Sequence, residues 1–98
     1  MATKKLQHVI VRTYSAGVFA GELVSRKGKE VTLENARRLW SWSGAASLSE
    51  LAARGTPNPA GCRFPVAVSS IILTEAIEII SMSPDAVRSI ASVPVWSK

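Results

Sequence analysis

Short apolar runs, broken by glycines and charged clusters, fill the first forty residues. Residues 7–12, QHVIVR, hold three consecutive apolar residues, two of them Val, and predict a short strand. TYSAG follows, with Gly17 placed to supply a turn or bulge. VFAGELVS, 18–25, predicts a second strand. RKGKE, 26–30, is a polar loop centred on Gly28 and marks a hairpin tip. VTL, 31–33, resumes the strand pattern, with Val31 and Leu33 on one face.

Side chains alternate across a strand. With 37–42 extended, Arg38, Trp40 and Trp42 point one way, and Arg37, Leu39 and Ser41 the other. One face then carries a guanidinium and two indoles in a row. Residues two apart on a strand are about 7 Å apart, the scale of an aromatic platform. Two readings stand side by side. The tryptophans form core or interface packing, as Trp usually does, or they stack on a ligand while arginine engages phosphate. The readings overlap, because ligand pockets also form where subunits meet.

Helical spacing appears first at 47–54, SLSELAAR. Ser47 and Glu50 make an S-x-x-E capping box, Leu48, Leu51 and Ala52 form an apolar stripe, and Gly55 ends the helix. TPNPAG, 56–61, has two prolines and predicts an irregular loop. Residues 64–82 are rich in Ile and Val and predict one or two strands with a bend or bulge at 74–76, against a competing helix over TEAIEII. SPDAVRSIA, 83–91, predicts a second helix: Ser83 caps it, Pro84 takes its first position, Asp85 suits its positive end, and Val87, Ile90 and Ala91 face inward. VPVW, 93–96, reads as an extended tail whose Trp96 docks on the body or on a neighbour.

These elements make one α+β domain over residues 1–98: a small, bent antiparallel sheet or partial barrel with two short helices. At 98 residues the chain has no room for a second domain and buries only a modest share of its surface, so self-association into a symmetric homo-oligomer is expected.

Charge narrows the function. Twelve Lys and Arg against seven Asp and Glu give a net charge of +5. The excess sits in the N-terminal half, at Lys4, Lys5, Arg12, Arg26, Lys27, Lys29, Arg37 and Arg38. Such a surface attracts nucleotides, nucleic acid or acidic proteins. Cys62 is the single cysteine, so no internal disulfide forms, and the chain reads as cytoplasmic. No signal peptide or bilayer-spanning run is visible.

Catalytic chemistry finds little support. His8 is the lone histidine and Asp85 the lone aspartate, so neither a Ser–His–Asp set nor a zinc site is legible. Glu75 and Glu78 fall on opposite faces of a strand. Gly17 and Gly21 are too sparse for a phosphate-binding loop. Cys62 reads as a small hydrophobe. We expect no cofactor and no turnover.

Three segments, VIVRTYSAGVFAGEL, VTLENARRLWSWSGAASLSELAARG and ILTEAIEII, carry a resemblance. Together they are similar to a family of short proteins encoded mainly by bacteriophages and prophages. That family shares V-R-x-x-x-A-G-V-x-x-G-x-L, then A-R-R-L/I-W-x-W-x-G-A, a Leu- and Ala-rich helix ending in Gly, and L-x-E-x-x-E-I-I. The likeness spans about residues 8–82, and its specific part is A-R-R-L-W-S-W-S-G-A. Ser41 stands where aromatic residues are common in the family, which opens the region slightly. The resemblance implies a phage accessory protein in the host cytoplasm. By analogy with small phage proteins that sequester immune signals, it implies an anti-defence role. The expected ligand is a nucleotide second messenger, such as a cyclic oligonucleotide or a cyclic ADP-ribose derivative. Trp40 and Trp42 would stack on bases, Arg37, Arg38 and Arg12 would neutralise phosphate, and Ser43, Ser41 and the backbone at Gly44 would meet sugar or base edges. Alternative partners are a host defence protein and single-stranded nucleic acid.

Overall fold

A computed structural model of the chain describes residues 7–45 and 47–96. Lys4 and Lys5 of the basic N-terminal half lie outside them. Five antiparallel strands form one sheet in the order β4-β3-β2-β1-β5, with β1 Gln7–Thr13, β2 Val18–Lys27, β3 Glu30–Arg38, β4 Val68–Leu73 and β5 Ala76–Ser81. Helices α1 Leu48–Arg54 and α2 Pro84–Ala91 complete the α+β domain.

The hairpin between β2 and β3 turns more tightly than the sequence suggested. Lys27 pairs directly with Glu30, leaving Gly28 and Lys29 as a two-residue turn. Gly28 takes φ 59°, which glycine adopts without steric cost. β3 is also longer than the VTL core, because the polar stretch ENARR continues the ladder. Asn35 makes this possible. It sits at φ 50°, a region Asn tolerates better than most residues, and its side-chain amide donates to Glu22. The β2–β3 register shifts here, and the alternation resets: Val31 and Leu33 face one side before Asn35, and Ala36 faces that same side after it. The strand ends at Arg38. Beyond it, Ser41 makes only an isolated bridge to Arg63, so 37–42 is not one strand.

Each sheet face has its own core, which is why Val9, Ile10 and Val11 are buried consecutively. On one face Ile10, Ala20 and Leu39 pack against Leu51 and Ala52 of α1, Ile90 of α2, and Phe64. On the other, Val9, Val11, Phe19, Val31, Leu33, Leu73 and Ala76 pack together with no helix among them. Topology explains their burial. Strands lie about 4.8 Å apart, so the outer strands of a flat five-stranded sheet would stand about 19 Å apart. Yet only Thr74 and Glu75 connect β4 to β5, the two edges, and three consecutive Cα steps span at most about 11 Å. The sheet must curl at that end. The connection is held there by the Ala76 N–H donating to Lys29 O and the Tyr14 N–H to Glu75 O, both at 3.0 Å. The sheet stays open, since β4 and β5 do not pair with each other. The bend expected at 74–76 is therefore present, and a helix over TEAIEII is not.

Both helices begin as their caps predict. The Ser47 hydroxyl accepts from the Glu50 N–H at 3.2 Å, and Ser83 accepts from the Ala86 N–H at 3.0 Å. Gly55 ends α1 at φ 75° against Ser89. The buried face of α2 is rotated from expectation: Ala86 and Ile90 are buried, Val87 is half-buried, and Ala91 is exposed. Pro59–Gly61 forms a single 3-10 turn inside the proline-rich loop. No helix among the described residues is long and apolar enough to cross a membrane.

Candidate functional site

Arg37 and Arg38 part ways at the end of β3. Arg37 stands opposite Ala20 and turns to the helix side. There its guanidinium donates to the carbonyls of Pro65, Ile90, Phe64, Val93 and Pro94, at 2.8 to 3.1 Å. It also lies 5.5 Å from the centroid of the Phe64 ring. Burial lowers its pKa from the ordinary arginine value. This side chain binds the C-terminal segment to the body. Its donors are directed at backbone oxygens, so the phosphate-neutralising role expected of Arg37 does not match its placement.

Arg38 stands opposite Phe19 and turns to the other side. Its guanidinium lies over the Phe19 ring, 4.7 Å from the centroid. It makes no hydrogen bond or ion pair among the described residues, and its exposed cation remains available to a ligand. Trp40 follows, 60% exposed. Its indole meets Trp96 from the tail, with centroids 5.6 Å apart and planes inclined by 40°. Beyond Trp96 the guanidinium of Arg63 completes the row, 5.8 Å from the Trp96 ring. Backbone bonds fix these partners. Arg63 N–H donates to Ser41 O at 2.7 Å, Trp40 N–H to Arg63 O at 3.1 Å, and Trp96 N–H to Phe64 O at 3.0 Å. The tail therefore docks on its own chain, one of the two outcomes expected for Trp96.

Two hollows flank this row. One, about 260 Å³, is lined by Phe19, Arg38, Trp40, Val66, Val68 and Trp96 among others. The second, about 350 Å³, lies between Arg38, Trp40 and Trp42 and the loop at 15–17. Arg38 and Trp40 line both. Trp42 borders the second hollow but is half-buried and packs on the helix-side core, so the two tryptophans are not equivalent.

The other expected contacts lie elsewhere. The Ser43 hydroxyl accepts from the Asn58 amide and its carbonyl from the Thr56 hydroxyl, so it ties down the 56–62 loop. Gly44 packs against Pro57. Neither lines either hollow. Arg12 stands opposite Val18, a neighbour of the helix-side core, and pairs with Glu78 at 3.1 Å, on the sheet face away from Arg38. Of the seven expected binding residues, the fold brings together Arg38 and Trp40, with Trp42 at the margin. Phe19, Arg63 and Trp96 were not read from sequence as parts of the site. Only Trp96 gave a signal, as an aromatic residue in a tail able to dock.

Residues with reactive chemistry are dispersed. Glu75 accepts from Ser15 and Glu78 pairs with Arg12. Cys62 is buried, its thiol directed at the Ser43 and Asn58 carbonyls and the Thr56 hydroxyl. Among the described residues no three His, Cys, Asp or Glu side chains gather as metal ligands. A further hollow of about 310 Å³ on the helix side holds His8, Asn35 and Arg37 in mostly apolar surroundings. Its one cation is Arg37, already engaged by backbone carbonyls.

Fold and site define a small α+β domain that presents an exposed aromatic and cationic row at the end of an open sheet. The chain belongs to the DUF6948 family, a domain of unknown function, which it matches over residues 6–90. No curated protein and no solved structure matches it.

Proposed function

We propose that this protein binds a nucleotide-derived ligand reversibly and without turnover, using Arg38, Trp40, Trp96 and Arg63. The observation that carries this reading is the exposed Trp40 indole, which lines both hollows with the Arg38 cation and meets the Trp96 ring, over which Arg63 lies outside both hollows. An exposed indole gains about 1–3 kcal/mol from stacking on a base. A neighbouring guanidinium pairs with phosphate through paired N–H donors. In the setting that the phage resemblance implies, such binding sequesters a cyclic oligonucleotide or cyclic ADP-ribose signal in the host cytoplasm. Titrating cyclic di- and trinucleotides, cyclic ADP-ribose isomers and oligo-dT against tryptophan fluorescence tests it. At least one should change the emission and raise the melting temperature. A flat response to every compound sinks the reading.

A second reading, inhibition of a host defence protein, is favoured by Tyr14. It is 79% exposed and directly precedes the loop that walls the second hollow. Tyr, Trp and Arg are the residue types that dominate protein interfaces. Salt separates the readings, because a polyanionic ligand loses affinity steeply as salt rises.

A further inference from the structure

The two edges of the sheet are built differently. β5 lies beside α1 and carries Glu78, paired with Arg12. β4 pairs with β3 on one side only, and no hydrogen bond outside that ladder involves residues 68–73 among those described. From 64 to 74 the sequence, FPVAVSSIILT, has no charged side chain. Val66 is 65% exposed and Ile72 60%, with Val68 also exposed. Natural sheets guard their edges with charge, proline, bulges or cover. Pro65 precedes this strand, but β4 itself carries none of these guards.

We propose that β4 pairs antiparallel with β4 of a second copy of this chain. Charge argues for this occupant. With a net charge of +5, two copies repel over much of their surface, and the charge-free edge is where they approach without that penalty. A foreign acidic partner would find no cation on this strand. The strand is also self-complementary. With Ile71 at the two-fold axis, Ser70 of one copy lies opposite Ile72 of the other, and Ser69 opposite Leu73, each pair on one face and all within β4. A contact over 69–73 is only about 15 Å long, so association is weak and depends on concentration.

The pairing bears on the site. Val66, Val68 and Ile71 line the hollow that holds Arg38 and Trp40. A second strand alongside would wall that hollow and set the two copies' sites on one continuous sheet face. This link to a ligand rests on the proposed function; the dimer itself does not.

Sedimentation of the full chain from about 1 to 100 μM tests the pairing, with Ile72→Lys and Ser70→Glu as exposed-surface variants outside both hollows, their folding checked by circular dichroism. The wild type should dimerise and each variant alone should be monomeric. An equal mixture of the two should recover a heterodimer, because the introduced ammonium of one copy then meets the introduced carboxylate of the other. A wild type that stays monomeric overturns the proposal and leaves the edge to another chain. A dimer surviving in both variants overturns it too, because the copies then meet elsewhere. In parallel, cyclic di-AMP titrations should show affinity falling about fivefold or more in the monomeric variants. If the dimer forms and neither form binds any nucleotide of the panel, the function reading fails and the pairing stands. Equal affinity in monomer and dimer overturns the shared wall.

Discussion

Trp40 and Trp96 come from opposite sides of the helical region of the sequence, yet their rings meet 5.6 Å apart at 40°. This pair fixes the tail against the end of β3 and builds the aromatic half of the candidate site. Replacing Trp96 with Ala should reduce nucleotide-induced quenching severalfold and cost about 1 kcal/mol of stability, the scale of one aromatic pair. Fluorescence titration and thermal melts measure the two effects separately. An unchanged titration would remove Trp96 from the site.

Arg38 and Arg12 offer a matched comparison of two exposed arginines on opposite faces. Arg38→Ala should abolish ligand binding and flatten its salt dependence, with little change in melting temperature. Arg12→Ala should leave binding intact and cost at most about 1 kcal/mol, because its ion pair with Glu78 is exposed to solvent. Equal losses in both variants would show that the cation's position does not matter.

Arg37 should behave as a structural residue. Arg37→Ala strips five backbone carbonyls of a shared donor and should destabilise the fold by about 3 kcal/mol. Arg37→Lys should rescue little, since a single ammonium cannot span so many acceptors. Its pKa is lowered by burial, so folding penalises the charged form, and that penalty relaxes only as pH rises towards a value far above neutrality. Denaturant midpoints should therefore show no Arg37-linked step from about pH 5 to 9. A stable, folded Arg37→Ala protein would contradict this role.

Gly55 is a tight joint between the helices. A Cβ there would sit 2.3 Å from both Cβ and Oγ of Ser89, on a backbone at φ 75°. Ser89 Oγ also accepts from Thr56 N–H at 2.9 Å, so it is not free to move aside. Gly55→Ala should cost about 3 kcal/mol from strain and overpacking together. Chemical denaturation measures it, and a neutral result would mean α1 and α2 slide apart freely.

Local chemistry was legible in the chain. Ser47, Ser83, Pro84 and Gly55 mark helix ends because their side chains or dihedrals act within a few residues. Gly28 marks the hairpin for the same reason, and the apolar runs at 7–12 and 18–25 declare strands through propensity. The tryptophan region resisted because its geometry depends on distant partners. Asn35 resets the alternation of β3 through one positive φ, and that decides which side Arg37 and Arg38 each take. The carbonyls that capture Arg37 come from 64–65 and 90–94, while the rings beside Arg38 and Trp40 belong to Phe19 and Trp96. Periodicity constrains neighbours along one segment, whereas which arginine is buried and which indole is exposed follows from how the curled sheet gathers segments far apart in sequence.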